Sequence, residues 1–355
     1  MKERINIGIC GLGLIGGSLA KAFRKRCGAY IVALDMDNKS IEKALAEKVI
    51  DEGTDRDYTI FNESDIVIIS VPINAVADTA IKISRVSRAL ITDTASTKRR
   101  ILENIPQNIR FIGGHPMAGS ELNGYSSSDE TLFENAVYAL IKGGNPGDME
   151  TLKRLIETIG AIPLELSREE HDLAVGKISH LPHSIAATLV NLTLSDSNGI
   201  SSRLAAGGFK DITRIASSDG RLWEQILSSS DTITGVIGEY IGELTKFKNM
   251  LNNKDSAAII KYLESAAEKR NGLFAANKGL IPEIRQLLIE VTDRPGIIGE
   301  ITTLLGHNSI NIKNLYIENN REYEGGVLRI TLEKASDSPK AVELLLSSGY
   351  KAQAR

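Results

Sequence analysis

The segment that most constrains this chain is Gly11-Leu12-Gly13-Leu14-Ile15-Gly16, set between an apolar run at residues 5–10 and a helix-forming stretch that opens near Ser18. Three glycines at this spacing mean little alone. Between a buried strand and a helix start they acquire a mechanical sense. Gly11 permits a tight turn, Gly13 lets backbone approach a bound group, and Gly16 lets strand and helix pack closely. The helix start adds N–H groups that no carbonyl of its own turn can satisfy, so it attracts phosphate. The next apolar run closes on Asp35, where a dinucleotide fold places the acid that bonds the adenosine ribose. Asp37 follows, no arginine does, and Lys39 is the nearest cation. Two acids repel a 2′-phosphate, so NAD is expected rather than NADP. Gly11, Gly13, Leu14, Ile15, Gly16 and Asp35 are the expected cofactor-binding residues. The competing reading is a glycine-rich turn that holds no cofactor.

The same glycines bear on the N-terminus. Residues 1–4 followed by an apolar run to Ala20 imitate a secretory leader. Gly8, Gly11, Gly13, Gly16 and Gly17 interrupt the run, however, and no A-x-A cleavage pattern follows. A leader helix so rich in glycine is a poor one, and the folded protein is expected to start at residue 1. No stretch reaches the roughly 18 uninterrupted apolar residues of a membrane helix. The chain has 355 residues, 42% of them hydrophobic, with 42 basic against 45 acidic groups. That is enough apolar material for two or three cores, and no basic excess points to nucleic acid or an anionic membrane. Cys10 and Cys27 alone form no disulfide framework, so a cytoplasmic setting is expected.

Three blocks follow one another. Up to about residue 165, short apolar runs at 5–10, 30–34, 66–71, 89–92, 111–113 and 137–141 alternate with helical patterns such as 18–26 and 39–47. Continuous apolar strands between helices predict a mostly parallel, doubly wound sheet covered on both faces. Residues 166–281 are helical, with long stretches at 169–194, 230–249 and 255–277, the composition of a bundle. From residue 285 the order becomes strand (286–291), helix (296–306), strands (310–318, 325–332), helix (339–348) and a short last strand (350–355). This is a ferredoxin-like βαββαβ module.

Polar candidates cluster after the strands. Residues 89–92 lead into Asp93-Thr94-Ala95-Ser96-Thr97-Lys98, and residues 111–113 into Gly114-His115-Pro116-Met117-Ala118-Gly119-Ser120-Glu121. Ligands of doubly wound sheets bind beyond the carboxyl ends of strands. His115 can there take a hydroxyl proton while hydride passes to nicotinamide, and Ser96 can hold the imidazole and the substrate hydroxyl. On spacing alone His115 is equally a turn histidine, with Pro116 ending the strand. His180 and His183 lie three apart on a helix that Pro182 kinks. No third ligand accompanies them, so no metal is expected, and His180 reads as an interhelical hydrogen-bonding residue. In Gly207-Gly208-Phe209-Lys210-Asp211-Ile212-Thr213-Arg214, Arg214 offers a fork for a carboxylate, or else an ion pair with Asp211.

Taken in order, GLGLIGGS, TDTASTK, GGHPMAGSE, SHLPH and GGFKDITR followed by Trp223 resemble the prephenate dehydrogenase family of tyrosine biosynthesis. The block that opens with Asp293-Arg294-Pro295-Gly296 resembles an ACT regulatory domain. The resemblance implies NAD-dependent oxidative decarboxylation of prephenate to 4-hydroxyphenylpyruvate, CO₂ and NADH. It implies His115 as the base on the 4-hydroxyl, Ser96 as its orienting group, and Arg214 on a substrate carboxylate. His183, Gly207 and Trp223 would line the pocket, although Trp223 equally suits a core aromatic. A homodimer is implied, with feedback by L-tyrosine near Asp293, Arg294, Pro295 and Gly296 and the segment holding Asn308 and Asn311. Rival readings are an arogenate or cyclohexadienyl dehydrogenase, another hydroxy-acid dehydrogenase of similar build, and a non-catalytic sensor of NAD and amino acids.

Overall fold

The computed structural model describes residues 4–119, 122–195, 199–276, 285–292, 294–319 and 326–354. Ser120, Glu121 and Asp293 lie outside them. The chain divides into two compact units, Met1–Thr245 and Lys246–Arg355.

The first unit opens with β1 (Asn6–Cys10), α1 (Leu14–Cys27), β2 (Tyr30–Leu34), α2 (Asn38–Ala46), β3 (Glu52–Thr54), β4 (Ile66–Ile69), α3 (Val76–Ser84), β5 (Leu90–Asp93), α4 (Arg99–Asn104) and β6 (Phe111–Ile112). Among the described residues these strands form one parallel sheet in the order β3-β2-β1-β4-β5-β6. Side chains alternate across a strand, and β4 shows why its run is wholly apolar. Ile66 and Ile68 enter the core on one face of the sheet, while Val67 and Ile69 enter the core on the other. The order reverses direction between β1 and β4, and a crevice opens at their carboxyl ends.

A second, smaller sheet follows: β7 (Gly114–Pro116), β8 (Val137–Ile141), α5 (Pro146–Thr158) and β9 (Ile162–Leu166). β7 runs antiparallel to β8, and β8 parallel to β9. The strand expected at 137–141 therefore belongs here rather than to the parallel sheet. Residues 114–116, which follow the strand read at 111–113, form a strand of this second sheet.

The helices come next: α6 (Arg168–Val175), α7 (Leu181–Thr193), α8 (Ile200–Leu204), α9 (Gly207–Thr213), α10 (Gly220–Ser229) and α11 (Ile233–Asn252). The single helix expected over 169–194 is two helices joined by a π-helical turn at Gly176–His180, with Pro182 in the first turn of α7.

The second unit holds α12 (Ser256–Ala276), β10 (Arg285–Val291), α13 (Ile297–His307), β11 (Ile312–Asn319), β12 (Gly326–Leu332), α14 (Ser338–Ser347) and β13 (Lys351–Ala354). Its antiparallel sheet has the order β11-β12-β10-β13. Ile301, Leu305, Ala341 and Leu345 of the two βαββαβ helices pack on Leu287, Ile289, Leu328 and Ile330 of the sheet. This is the ferredoxin-like module the pattern predicts.

Candidate active site

The three glycines of the first turn do different work. Gly11 sits at φ 98°, in the left-handed region, and a Cβ there would lie 2.4 Å from the backbone oxygen of Ser70. A Cβ on Gly16 would lie 1.8 Å from the backbone oxygen of Gly11. Gly13, at the N-cap of α1, has extended backbone, and no side chain caps the helix. A Cβ on Gly13 would meet nothing within 4 Å. The chain thus needs Gly11 and Gly16 for its own packing and leaves clear space at Gly13, before the helix N-terminus. Asp35 completes the turn: its Oδ2 accepts from the Leu12 N–H at 2.5 Å and its Oδ1 from the Asp37 N–H at 2.7 Å. An open cradle at a helix start, with a carboxylate moored beside it, fits a dinucleotide.

A cavity of about 500 Å³ begins at this turn. Gly13, Leu14 and Ile15 line one end, then residues 70–73, then Thr94, Ala95 and Ser96 beyond β5, and His115 beyond β6. The opposite wall is α10, which contributes Arg221, Leu222, Gln225 and Ile226. Arg221 is the one lysine or arginine that lines the cavity among the described residues.

His115 is held from behind. It pairs with Ala139 across the β7–β8 ladder and is 8% exposed. Its Nδ1 lies 2.9 Å from Nε2 of His171, whose Nδ1 lies 2.7 Å from Oδ1 of Asp172. The Asp172 carboxylate also accepts the backbone N–H groups of Lys98 at 3.0 Å and Arg99 at 2.9 Å. Burial pushes the Asp172 carboxyl up, but bonds from His171 and the Arg99 and Lys98 amides outweigh it and hold it below its ordinary value. Burial, followed by the charge of Lys98, holds the His115 imidazole well below its ordinary value. The ring is therefore neutral near pH 7 and able to accept a proton.

Beneath it sits a fully buried ion pair, Lys98 with Asp93. Burial pushes the Lys98 ammonium down in pKa, and Asp93 opposes that shift. Asp93 accepts from the N–H of Ala95 at 3.0 Å and of Gly114 at 3.1 Å, so one carboxylate fixes the loop carrying Ser96 and the residue before His115. Gly114 admits this approach because it has no Cβ; one would lie 2.6 Å from the Asp93 backbone oxygen.

The remaining expected residues are less close together. Ser96 shares the cavity with His115, but among the described residues the hydrogen-bond partner of the imidazole is His171. Trp223 is not among the residues that line the cavity, although its neighbour Leu222 is. Its indole stacks on His183 at 3.5 Å between centroids and 8° between planes, and meets His180 edge-on. His180 Nδ1 bonds Ser230 Oγ at 3.2 Å, the hydrogen-bonding part its spacing suggested. His180 Nε2 and His183 Nδ1 are buried without a hydrogen-bond partner among the described residues. Arg214 and Gly207 are exposed and do not line the cavity. No group of three His, Cys, Asp or Glu among the described residues is placed to hold a metal ion.

Sequence reasoning passed over His171, Asp172, the Lys98–Asp93 pair and Arg221. A capping box at Ser167 and Glu170 marks the start of α6, so the helix carrying His171 was legible. Its partner 56 residues away in the chain was not.

In the second unit a groove of about 590 Å³ is lined by residues including Arg294, Ile297, Tyr350 and Lys351. Arg294 and Tyr350 both bond Glu300, at 2.7 Å and 3.0 Å. Gly296 caps α13 at φ 89°. Asn308 and Asn311 do not line this groove; they bond the Leu304 carbonyl and Glu333.

Comparison with known proteins gives three family matches in chain order. The nucleotide-binding domain of prephenate dehydrogenase matches residues 19–163, its dimerization domain residues 167–265, and the ACT domain residues 285–347. Prephenate dehydrogenase of Bacillus subtilis is 37% identical over 361 residues, covering 97% of this chain and 96% of that one. The crystal structure of prephenate dehydrogenase from A. aeolicus, solved with hydroxyphenyl propionate and NAD⁺, matches with a TM-score of 0.72 at 32% identity. It covers 76% of this chain and 99% of that one. Arogenate dehydrogenase of Synechocystis matches with a TM-score of 0.69 at 29% identity, covering 76% of this chain and 100% of that one.

Proposed function

The chain belongs to the prephenate dehydrogenase family, and we propose that it converts prephenate to 4-hydroxyphenylpyruvate and CO₂ with His115 as the base. The observation that carries this assignment of His115 is a neutral, buried imidazole at the wall of the cavity that begins at the dinucleotide cradle. Gly11, Gly13, Leu14, Ile15, Gly16 and Asp35 would hold NAD⁺, which would supply the hydride acceptor. The protein contributes alignment and a proton acceptor. The proton of the C4 hydroxyl passes to Nε2 of His115 as C4 becomes a carbonyl carbon. Loss of the C1 carboxylate as CO₂ then sends its electron pair through the ring to the C4 oxygen, the proton held on His115 returns to that oxygen, and the ring becomes aromatic. That gain supplies much of the driving force, so one base and a fixed substrate suffice.

Prephenate is a dianion, and its carboxylates call for cations. We assign one to Arg214, with Ser96 on the hydroxyl and His183, Gly207 and Trp223 shaping the side-chain end of the pocket. Arg221 is the alternative anchor, favoured by its place in the cavity lining. Arg214→Ala and Arg221→Ala separate the two. The true anchor raises KM for prephenate by about 10- to 100-fold with little change in kcat, the loss of one charge-assisted clamp. The same assay with arogenate shows whether an amino group is accepted in place of the keto group.

We assign residues 1–165 to cofactor binding, 166–281 to substrate binding and dimerisation, and 285–355 to regulation. Leu192 and Leu204 are 76% and 75% exposed, which supports a homodimer through the helical block; sedimentation velocity tests it. No described helix is long and apolar enough to cross a membrane. L-tyrosine is the proposed effector, bound in the second unit near Arg294, Pro295 and Gly296, with Asp293 and the Asn308–Asn311 side as further candidates. Arg294→Ala is expected to abolish inhibition by tyrosine and leave turnover without tyrosine unchanged. Full inhibition of that variant moves the effector site elsewhere.

A further inference from the structure

The geometry points to His171 and Asp172 as positioning residues that fix the tautomer of His115, leaving its Nε2 lone pair to the cavity. This rests on the reading of His115 as the base. A carboxylate only accepts hydrogen bonds, so the Nδ1 that lies 2.7 Å from Asp172 must carry a proton. With that proton the only one on the His171 ring, Nε2 is then the acceptor. The group 2.9 Å from it is Nδ1 of His115, which must donate. A neutral His115 with its proton on Nδ1 has an unprotonated Nε2, and His115 lines the cavity. Two links of chemistry thus carry the sign of the Asp172 charge to the atom that receives the substrate proton.

The chain is built to hold its register. Asp172 accepts two backbone amides at the start of α4, and the O–H of Thr232 donates to its carbonyl oxygen at 3.1 Å. His171 is 1% exposed and meets His115 edge-on at 5.1 Å between centroids. The other charged or titratable groups felt by His115 are Lys98 and His180. Neither bonds the ring. When His115 becomes an imidazolium, its Nδ1–H points along the chain toward Asp172, so the new charge is met by a carboxylate through one intervening ring. A buried imidazole with only Lys98 for company would resist that charge.

The test reads the tautomer directly. In the full-length protein with ¹⁵N-labelled histidine, the wild-type His115 signals are expected to show a protonated Nδ1 and a bare Nε2 at neutral pH. His115→Asn identifies the signals. Asp172→Asn replaces the obligate acceptor with an amide able to donate, which invites the opposite tautomer through both rings. Its kcat is expected to fall about 10²- to 10⁴-fold, with the KM for NAD unchanged and the His115 signals shifted toward the Nε2–H form. His171→Gln, which keeps the helix but breaks the relay, is expected to lose kcat comparably. Asp172→Asn also disturbs the amides of α4, so a kcat loss with the wild-type tautomer retained counts as structural damage and overturns the inference. A wild-type Nε2–H tautomer overturns it as well. If His115→Asn turns over normally, the base assignment itself fails. If His115→Asn is inactive while His171→Gln is fully active, only the relay fails.

Discussion

Gly13 and Gly16 differ by three positions and should fail in opposite ways. At Gly13 the backbone, φ −73° and ψ −160°, is one any residue adopts, and a methyl group would meet nothing within 4 Å. Gly13→Ala therefore loses only some N-cap quality, at most about 1 kcal/mol, or a Tm shift of a few degrees. The new methyl instead fills the space before the helix N–H groups. Displacing one charge-assisted bond to phosphate forfeits about 1.5–3 kcal/mol, which is roughly 10- to 100-fold in the Kd for NAD. At Gly16 the methyl would sit 1.8 Å from the Gly11 oxygen, a backbone atom that no rotamer change can move. Gly16→Ala should cost about 3 kcal/mol or more by overpacking and lower the Tm before binding is considered. Calorimetric titration with NAD, alongside thermal melts, reads both effects. Wild-type NAD affinity in Gly13→Ala refutes the assignment of that space to the cofactor. Equal melting losses in the two variants refute the division of labour.

Asp35→Asn keeps an acceptor for the Leu12 amide and removes the charge, so the preference for NAD over NADP should narrow by about tenfold or more; an unchanged kcat/KM ratio for the two cofactors removes Asp35 from that choice. Lys98→Met leaves the Asp93 carboxylate buried without its cation and should cost about 3–5 kcal/mol in urea unfolding, with much of it regained in Lys98→Met/Asp93→Asn. A loss under 1 kcal/mol means that water reaches the pair. Burial lowers His180 from 6.5 to about 4. The unfolded chain therefore binds the extra proton first, and the stability from this group is complete above pH 6.5 and lost as pH falls toward 4. Roughly 3 kcal/mol should disappear over that window. His180→Gln should flatten that limb of a stability–pH curve, and an equally steep limb in the variant assigns it to other groups.

What was legible in the sequence is what local chemistry dictates. The turn at Gly11–Gly16 needs only neighbours within a few residues, and its strand, glycines and helix appear as read. The apolar β2 and β4 are recognisable because a sheet covered on both faces tolerates no polar side. The βαββαβ order of the second unit is equally explicit, since each of its elements carries its own periodicity. Pairings between distant segments left no such trace. Residues 114–116 are too short and too rich in glycine and proline to read as a strand, and they become one only because β8 supplies the ladder. At the π-helical turn Gly176–His180, Gly176 lies against Thr232, where a Cβ would be 2.7 Å from the hydroxyl. The same long-range packing sets His171 behind His115. A histidine followed by an aspartate on a capped helix says nothing of which side chain it will hold.

The central claim is that this chain removes hydride and CO₂ from prephenate with His115 taking the proton. The most direct measurement is NADH absorbance on mixing prephenate and NAD⁺ with the wild type and with His115→Asn. NADH should form with the wild type, and kcat should fall about 10²- to 10⁴-fold in the variant while NAD binds as before. Wild-type turnover by His115→Asn, or no NADH from the wild type, contradicts it.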